Sequence, residues 1–185
     1  MNKSGPLRKT ESKYAAAPLS RNDIADAALW LRKRAGLEDV VQFNIVRFIE
    51  NVLPSIHPNF QFEIVADWEL DERYAETIPA FGDQPAIIRV RESVYTAAVN
   101  GVTRAIFTLA HEVGHLLFHT PRRMILCRIE SSLPAFRDPE WQANTFAGEF
   151  LVMRHLACGM SPFEIADKFH VSYSVAEIQA KYCKN

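Results

Sequence analysis

Apolar positions along the chain recur at two spacings, and the changes between them divide it into elements. Ser20, followed three residues on by Asp23, is a variant of the helix capping box. Ile24, Ala27, Ala28 and Leu31 then follow at helical spacing, and Gly36 is a suitable stop after Arg32, Lys33 and Arg34. A second helix is expected over about residues 40–52, where Val41, Ile45, Phe48 and Ile49 form a stripe, with Pro54 ending it. Residues 60–65 alternate apolar and polar, the signature of a half-buried strand. The charged, then Pro/Gly-bearing stretch 69–85 reads as a loop or irregular hairpin. Residues 86–90 read as a second short strand, and Asn100-Gly101 as a turn.

From Thr103 the pattern changes. The run TRAIFTLAHEVGHLLFHT places Ile106, Leu109, Ala110, Val113, Leu116 and Leu117 at helical spacing, with no proline before Pro121, and predicts a buried helix. A less regular link follows over 122–136. Asp138-Pro139 resembles an N-cap followed by proline at the first helical position. That helix continues through Phe146, Phe150, Leu151 and Met153, with Gly159 as its stop. Ser161 to Glu164 is another capping box with Pro162 at its first helical position. It opens a short helix to about Phe169, then a turn at His170-Val171-Ser172 and a last helix to about Tyr182. No internal repeat is visible. The elements predict an α+β fold, mainly helical with a small sheet. They form one domain over 19–185, with 161–183 as a helical C-terminal subdomain of helix-turn-helix type. Residues 1–18, with Lys3, Arg8, Lys9 and Lys13 against Glu11, are expected to be a mobile polar tail.

Composition narrows the function classes. Hydrophobic residues make up 48% of the 185, charged residues 23%, and the formal net charge is −1, so no global field draws the protein to nucleic acid or membrane. The three cysteines, Cys127, Cys158 and Cys183, are odd in number and scattered, which argues against a disulfide framework or a four-cysteine zinc site. No apolar run is long enough to cross a bilayer, and the N-terminus lacks the hydrophobic segment of a signal peptide. The expected location is the cytoplasm.

The chemistry concentrates in His111-Glu112-Val113-Gly114-His115. On a helix, residues four apart share a face, so two imidazoles can reach one metal ion, with Glu112 beside them to contact a water without itself being a ligand. A catalytic zinc site takes three protein ligands and leaves a position open. A third histidine six residues after His115 is absent, because Pro121 stands there. A carboxylate from a following helix is the other source, with Glu130, Glu140 and Glu149 as candidates. Glu140 is best placed, at the start of the helix after Asp138-Pro139, with Asn144 one turn later on the same face to hydrogen-bond a ligand. Zinc is expected, and manganese or iron suits the same donors. Packed histidines on an amphipathic helix could produce the same motif by chance. Against that stand its place in the most apolar helix and Gly114 inside it, a costly residue in a helix that signals close packing. His119, one turn past His115, is either a group behind a ligand or beside substrate, or a polar helix end. Arg104 and Tyr95, with His119, are weak candidates for a second oxyanion donor.

The segment Phe107 to His119 (FTLAHEVGHLLFH), followed by Glu140 to Leu151 (EWQANTFAGEFL), resembles the ImmA/IrrE family of metallopeptidases. Glu140, Ala143, Asn144, Phe146, Ala147 and Glu149 match the family's second motif residue by residue. The resemblance implies a zincin-like fold of gluzincin type, with His111, His115 and Glu140 on zinc and Glu112 as catalytic base. It also implies a protein substrate, an XRE-type helix-turn-helix repressor or antitoxin cut in a stress or mobile-element response. Two other readings compete: a metal-holding protein that binds a repressor without turnover, and a DNA-binding regulator built on the C-terminal helix pair. Glu164, Asp167 and Glu177 against Lys168, Lys181 and Lys184 give that pair no basic stripe.

Overall fold

The computed structural model describes residues 14–126 and 133–183, so Cys127 and the candidate Glu130 lie outside the described residues. β1 (Tyr14–Ala16) comes first, with Ala15 and Ala16 buried, so the expected tail does not extend to these residues. α1 (Arg21–Arg34) starts at the capping box, where the Ser20 N–H donates to Asp23 Oδ2 at 2.8 Å and the Asp23 N–H donates to Ser20 Oγ at 3.2 Å. It buries Ile24, Ala28 and Leu31, together with Arg32 on the same face. The Arg32 guanidinium lies over the Phe43 ring, 4.5 Å from its centroid, and donates to the Val40 carbonyl. Burial lowers its pKa to about 10.

The second helix begins later than its stripe suggests and passes the proline expected to end it. Asn44 caps it, accepting from the Arg47 N–H at 3.0 Å. It runs as α2 (Ile45–Arg47), a π-helical turn (Phe48–Val52) and α3 (Leu53–Ile56). Proline has no N–H and crowds the carbonyl four residues back. The wider turn, in which the Leu53 N–H donates to the Phe48 carbonyl, gives Pro54 room.

β2 (Phe60–Val65), β3 (Ala75–Ile78) and β4 (Ala86–Arg91) form a sheet in the order β2-β4-β3, with β4 parallel to β2 and antiparallel to β3. Ala86, Ile88 and Val90 on β4 face the core. On its other side Arg89 stands opposite Glu63 and Glu76, with an ion pair of 2.9 Å to Glu76. β3 lies inside the stretch read from sequence as loop or irregular hairpin. α4 (Glu92–Val99), which the sequence pattern did not yield, leads to the turn at Gly101, whose φ of +80° suits a residue without Cβ. α5 (Thr103–Phe118) follows, then β5 (Met124–Leu126), which pairs antiparallel with β1.

α6 (Pro139–Leu151) starts at the Asp138 cap and stops well before Gly159, because the chain turns extended at Val152 and restarts as α7 (Arg154–Ala157). α8 (Pro162–Phe169) and α9 (Tyr173–Tyr182) complete the α+β fold. Ile165, Phe169, Val171 and Ala176 from this pair are buried in the same core as α5 and α6. Among the described residues, no helix is long and apolar enough to cross a membrane.

Glu149, at 1% exposure, ties three elements together. Arg21 of α1 donates to its Oε1 at 2.9 Å, and Arg154 of α7 grips it with two bonds of 2.7 and 2.8 Å. Removing the carboxylate strands two guanidinium groups, so Glu149→Ala is expected to cost about 3–5 kcal/mol in chemical denaturation. A loss below about 1 kcal/mol, the range of an exposed ion pair, would show that the carboxylate does not hold α1 and α7 to α6.

Candidate metal centre

α5 turns one face to the core, burying Leu109, Ala110, Val113, Leu116 and Phe118. His111 and His115, one turn apart, come out together on the side that meets α6. The approach of the two helices is set at Gly114. A Cβ built there would stand 3.1 Å from the Ala143 Cα, 3.2 Å from Phe146 Cδ1 and 3.3 Å from the Ala143 carbonyl oxygen. A Cβ there would be crowded, so with any other residue α6 would have to give by a few tenths of an ångström. Glu140 and Asn144 flank Ala143 on the same face of α6, so the close approach brings both to the histidines.

The three donors converge: one atom each from His111, His115 and Glu140 lie within 4.8 Å of one another. The two Nε2 atoms face each other at 2.9 Å, and each is 3.4 Å from a Glu140 carboxylate oxygen. The far sides of the rings are also engaged. His111 Nδ1 is 3.0 Å from Asn144 Oδ1. His115 Nδ1 is 2.7 Å from His119 Nδ1, and His119 Nε2 is 3.0 Å from Gln142 Oε1. Two imidazole nitrogens and a carboxylate oxygen meeting at a partly buried point form a donor set that fits a first-row divalent ion such as zinc, manganese or iron.

The electrostatics agree with that fit. Burial, with the neighbouring His111 and His119 charges, pushes His115 down to about 3. Burial also pulls on His111, but contact with Glu140 and the nearby Glu112 charge outweigh it and raise its pKa above the ordinary value. Contact with His111 holds the Glu140 carboxyl low, with burial opposing. The two rings shift in opposite directions because the carboxylates favour one positive charge here, while a second, across nitrogens 2.9 Å apart, is repelled.

Glu112 is 6% exposed and lies on the same cleft, a space of about 440 Å³ lined also by His111, His115, Glu140, Asn144 and Thr77. Burial raises its pKa, against the Thr77 hydroxyl, which donates to Oε2 at 2.7 Å. Thr77 sits on β3, the sheet edge that borders the cleft. Sequence reasoning missed it because nothing in the linear pattern ties residue 77 to residue 112. It also missed Tyr74, whose ring lines the cleft beneath the Arg104 guanidinium, 5.0 Å away. Gln142, buried beside His119, was passed over for the same reason. Of the weak oxyanion candidates, Tyr95 donates to Glu50 at 2.8 Å and does not line the cleft. Arg104 stands one residue layer away behind Tyr74, and His119 lies behind His115. Glu149, the alternative third ligand, is bound by Arg21 and Arg154.

A family model described as the IrrE N-terminal-like domain matches residues 79–181, more than half of the chain. The matched span takes in α5 and α6 but stops short of Tyr74 and Thr77 on the opposite wall of the cleft. No curated protein matches the chain at a significant level.

Because a Cβ at Gly114 would crowd the Ala143 backbone and the Phe146 ring, Gly114→Ala is expected to cost about 1–3 kcal/mol by overpacking. The same variant is expected to weaken uptake of a divalent ion in a competition titration, since α6 carries Glu140 away as it yields. Unchanged stability would show that the helices can slide without penalty.

Proposed function

The chain belongs to the IrrE N-terminal-like domain family of metallopeptidases, and from that premise we propose that it hydrolyses a peptide bond in a protein substrate, with His111, His115 and Glu140 holding zinc and Glu112 acting as general base. The observation that carries the reading is the convergence of those three donors at a cleft onto which the buried Glu112 carboxylate also opens. A divalent ion bound there supplies Lewis-acid activation of a water molecule and of the scissile carbonyl.

The chain's own groups do the rest. Glu112 takes one proton from the attacking water as its oxygen bonds to the carbonyl carbon, then delivers that proton to the amine nitrogen as the C–N bond breaks. Thr77 holds the carboxylate in place through Oε2. Asn144 steadies His111 from behind. Substrate is proposed to lie extended along β3, whose outer edge pairs with no strand among the described residues and whose residues Ala75, Glu76 and Thr77 line the cleft.

For the substrate we adopt an XRE-type helix-turn-helix repressor or antitoxin, cut in a stress or mobile-element response in the cytoplasm. The support is the resemblance carried by the paired motifs at His111–His115 and Glu140–Leu151; the family match reaches as far as a metallopeptidase with a protein substrate. The C-terminal helices α8 and α9 are packed into the core and carry no basic stripe, which weighs against direct reading of DNA.

The test is incubation of zinc-loaded protein with a set of purified XRE-type helix-turn-helix repressors, followed by intact-mass spectrometry. A discrete pair of fragments is expected, absent after chelation. Glu112→Gln is expected to retain one zinc per chain and lose roughly 10²–10⁴-fold in cleavage rate, whereas His115→Ala is expected to lose the metal. Full activity in Glu112→Gln would remove the general-base assignment, and a wild type that takes up no metal would remove the proposed function.

A further inference from the structure

We propose that His119 and Gln142 are positioning residues that set the tautomer of His115, fixing its ring proton on Nδ1 and leaving Nε2 bare towards the cleft. Its consequence for metal binding rests on the function proposed above. The argument starts at two main-chain carbonyls. Gln142 is fully buried, and its Nε2 lies 2.8 Å from the Ala17 oxygen and 2.8 Å from the Phe136 oxygen. Carbonyl oxygens only accept, so the amide nitrogen must face them and spend both its protons there. The orientation of the amide is thereby settled, and Oε1 points to the other side as an acceptor.

His119 Nε2, 3.0 Å from that oxygen, therefore carries a proton. His119 is 7% exposed, and its two ring nitrogens are taken up by Gln142 and His115, with no carboxylate on either. Burial disfavours a second proton on such a ring, so with its proton on Nε2 its Nδ1 holds a lone pair. That lone pair is 2.7 Å from His115 Nδ1 and can only accept, so the His115 proton sits on Nδ1. His115 Nε2 is left unprotonated, opposite His111 Nε2 and Glu140. The direction of the whole chain follows from Ala17 and Phe136.

Ring tautomer decides whether a histidine can ligate, because a nitrogen that carries a proton has no pair to give. His111 is served directly by Asn144; His115 is served through two relays. Both relay residues lie outside the donor set, and Ala17 belongs to the segment following β1. The N-terminal strand and the link before α6 thus anchor the group behind His115. Ala17 is itself held, its N–H donating to the Arg123 carbonyl at 2.9 Å.

The experiment has two arms. Two-bond nitrogen–proton correlation NMR of the histidine rings, on metal-free protein, reads the tautomer itself. The wild type is expected to show His115 protonated on Nδ1, and Gln142→Met to show it mixed between tautomers. Zinc competition against a chromophoric chelator reads the consequence: His119→Phe is expected to weaken zinc binding by roughly 10–100-fold. His119→Gln, whose amide can accept from His115 and donate to Gln142, is expected to recover most of that loss, which a purely space-filling role for His119 would not produce. A His115 proton on Nε2 in the wild type, or His119→Phe binding zinc within about twofold of wild type, would overturn the proposal. A wild type that shows the Nδ1 proton yet takes up no zinc would instead sink the metallopeptidase reading and leave the relay standing.

Discussion

The contact on which the site depends is the backbone-to-backbone packing of α5 on α6 at Gly114 and Ala143. Interiors are packed too densely for two helices to approach this closely across ordinary side chains. Omitting one at Gly114 lowers α6 onto α5 until a Cβ would have only 3.1 Å of clearance. Several features follow from that one spacing. Glu140 reaches the histidines from the first turn of α6, where its charge also suits the helix N-terminus. Asn144, one turn on, reaches His111. Gln142, on the adjacent flank, reaches His119. A separation greater by one methyl group would leave each of these polar side chains short of its partner, in a setting where an unpaired buried polar group is costly.

The helical half of this arrangement was legible in the sequence because its signals are local. The Ser20–Asp23 and Ser161–Glu164 boxes, the Asp138-Pro139 start and the glycine within the motif each operate within one turn of chain, and helices begin or pack where they stand. The fold class followed from them, while the family resemblance rested on the motif residues of Phe107 to His119 and Glu140 to Leu151. Local rules failed where a tertiary constraint competed. Pro54 did not end its helix, since a π-helical turn made room for it. Arg32, grouped by sequence with a basic helix end, is buried against Phe43, where its long apolar stem and flat guanidinium pack as a core residue. β1 and β5 are three residues each and find one another across more than a hundred positions, which no periodicity records. The site divides the same way. His111, Glu112, His115 and Glu140 lie on two helices whose registers the pattern fixes. Thr77 and Tyr74 come from an edge strand whose placement depends on sheet pairing with β4.

The buried polar residues show how the fold treats the cost of the cleft. Arg32, Glu112, His119, Gln142, Thr145, Glu149 and Gln179 are the polar or charged side chains removed from water among the described residues. Glu149 is fully compensated, with two guanidinium groups on one carboxylate, and serves the fold. Glu112, His119 and Gln142 each have a partner, Thr77, His115 and two main-chain carbonyls respectively. On the near side two imidazole nitrogens face each other at 2.9 Å, each 3.4 Å from a Glu140 carboxylate oxygen, so three donors gather where one positive charge is favoured. The partners on the far side hold both rings in place, so the donors stay gathered where a cation placed between them meets all three. Binding of such an ion then stabilises the native state by mass action, and the packing at Gly114 that gathers the donors also sets how strongly the cation is held.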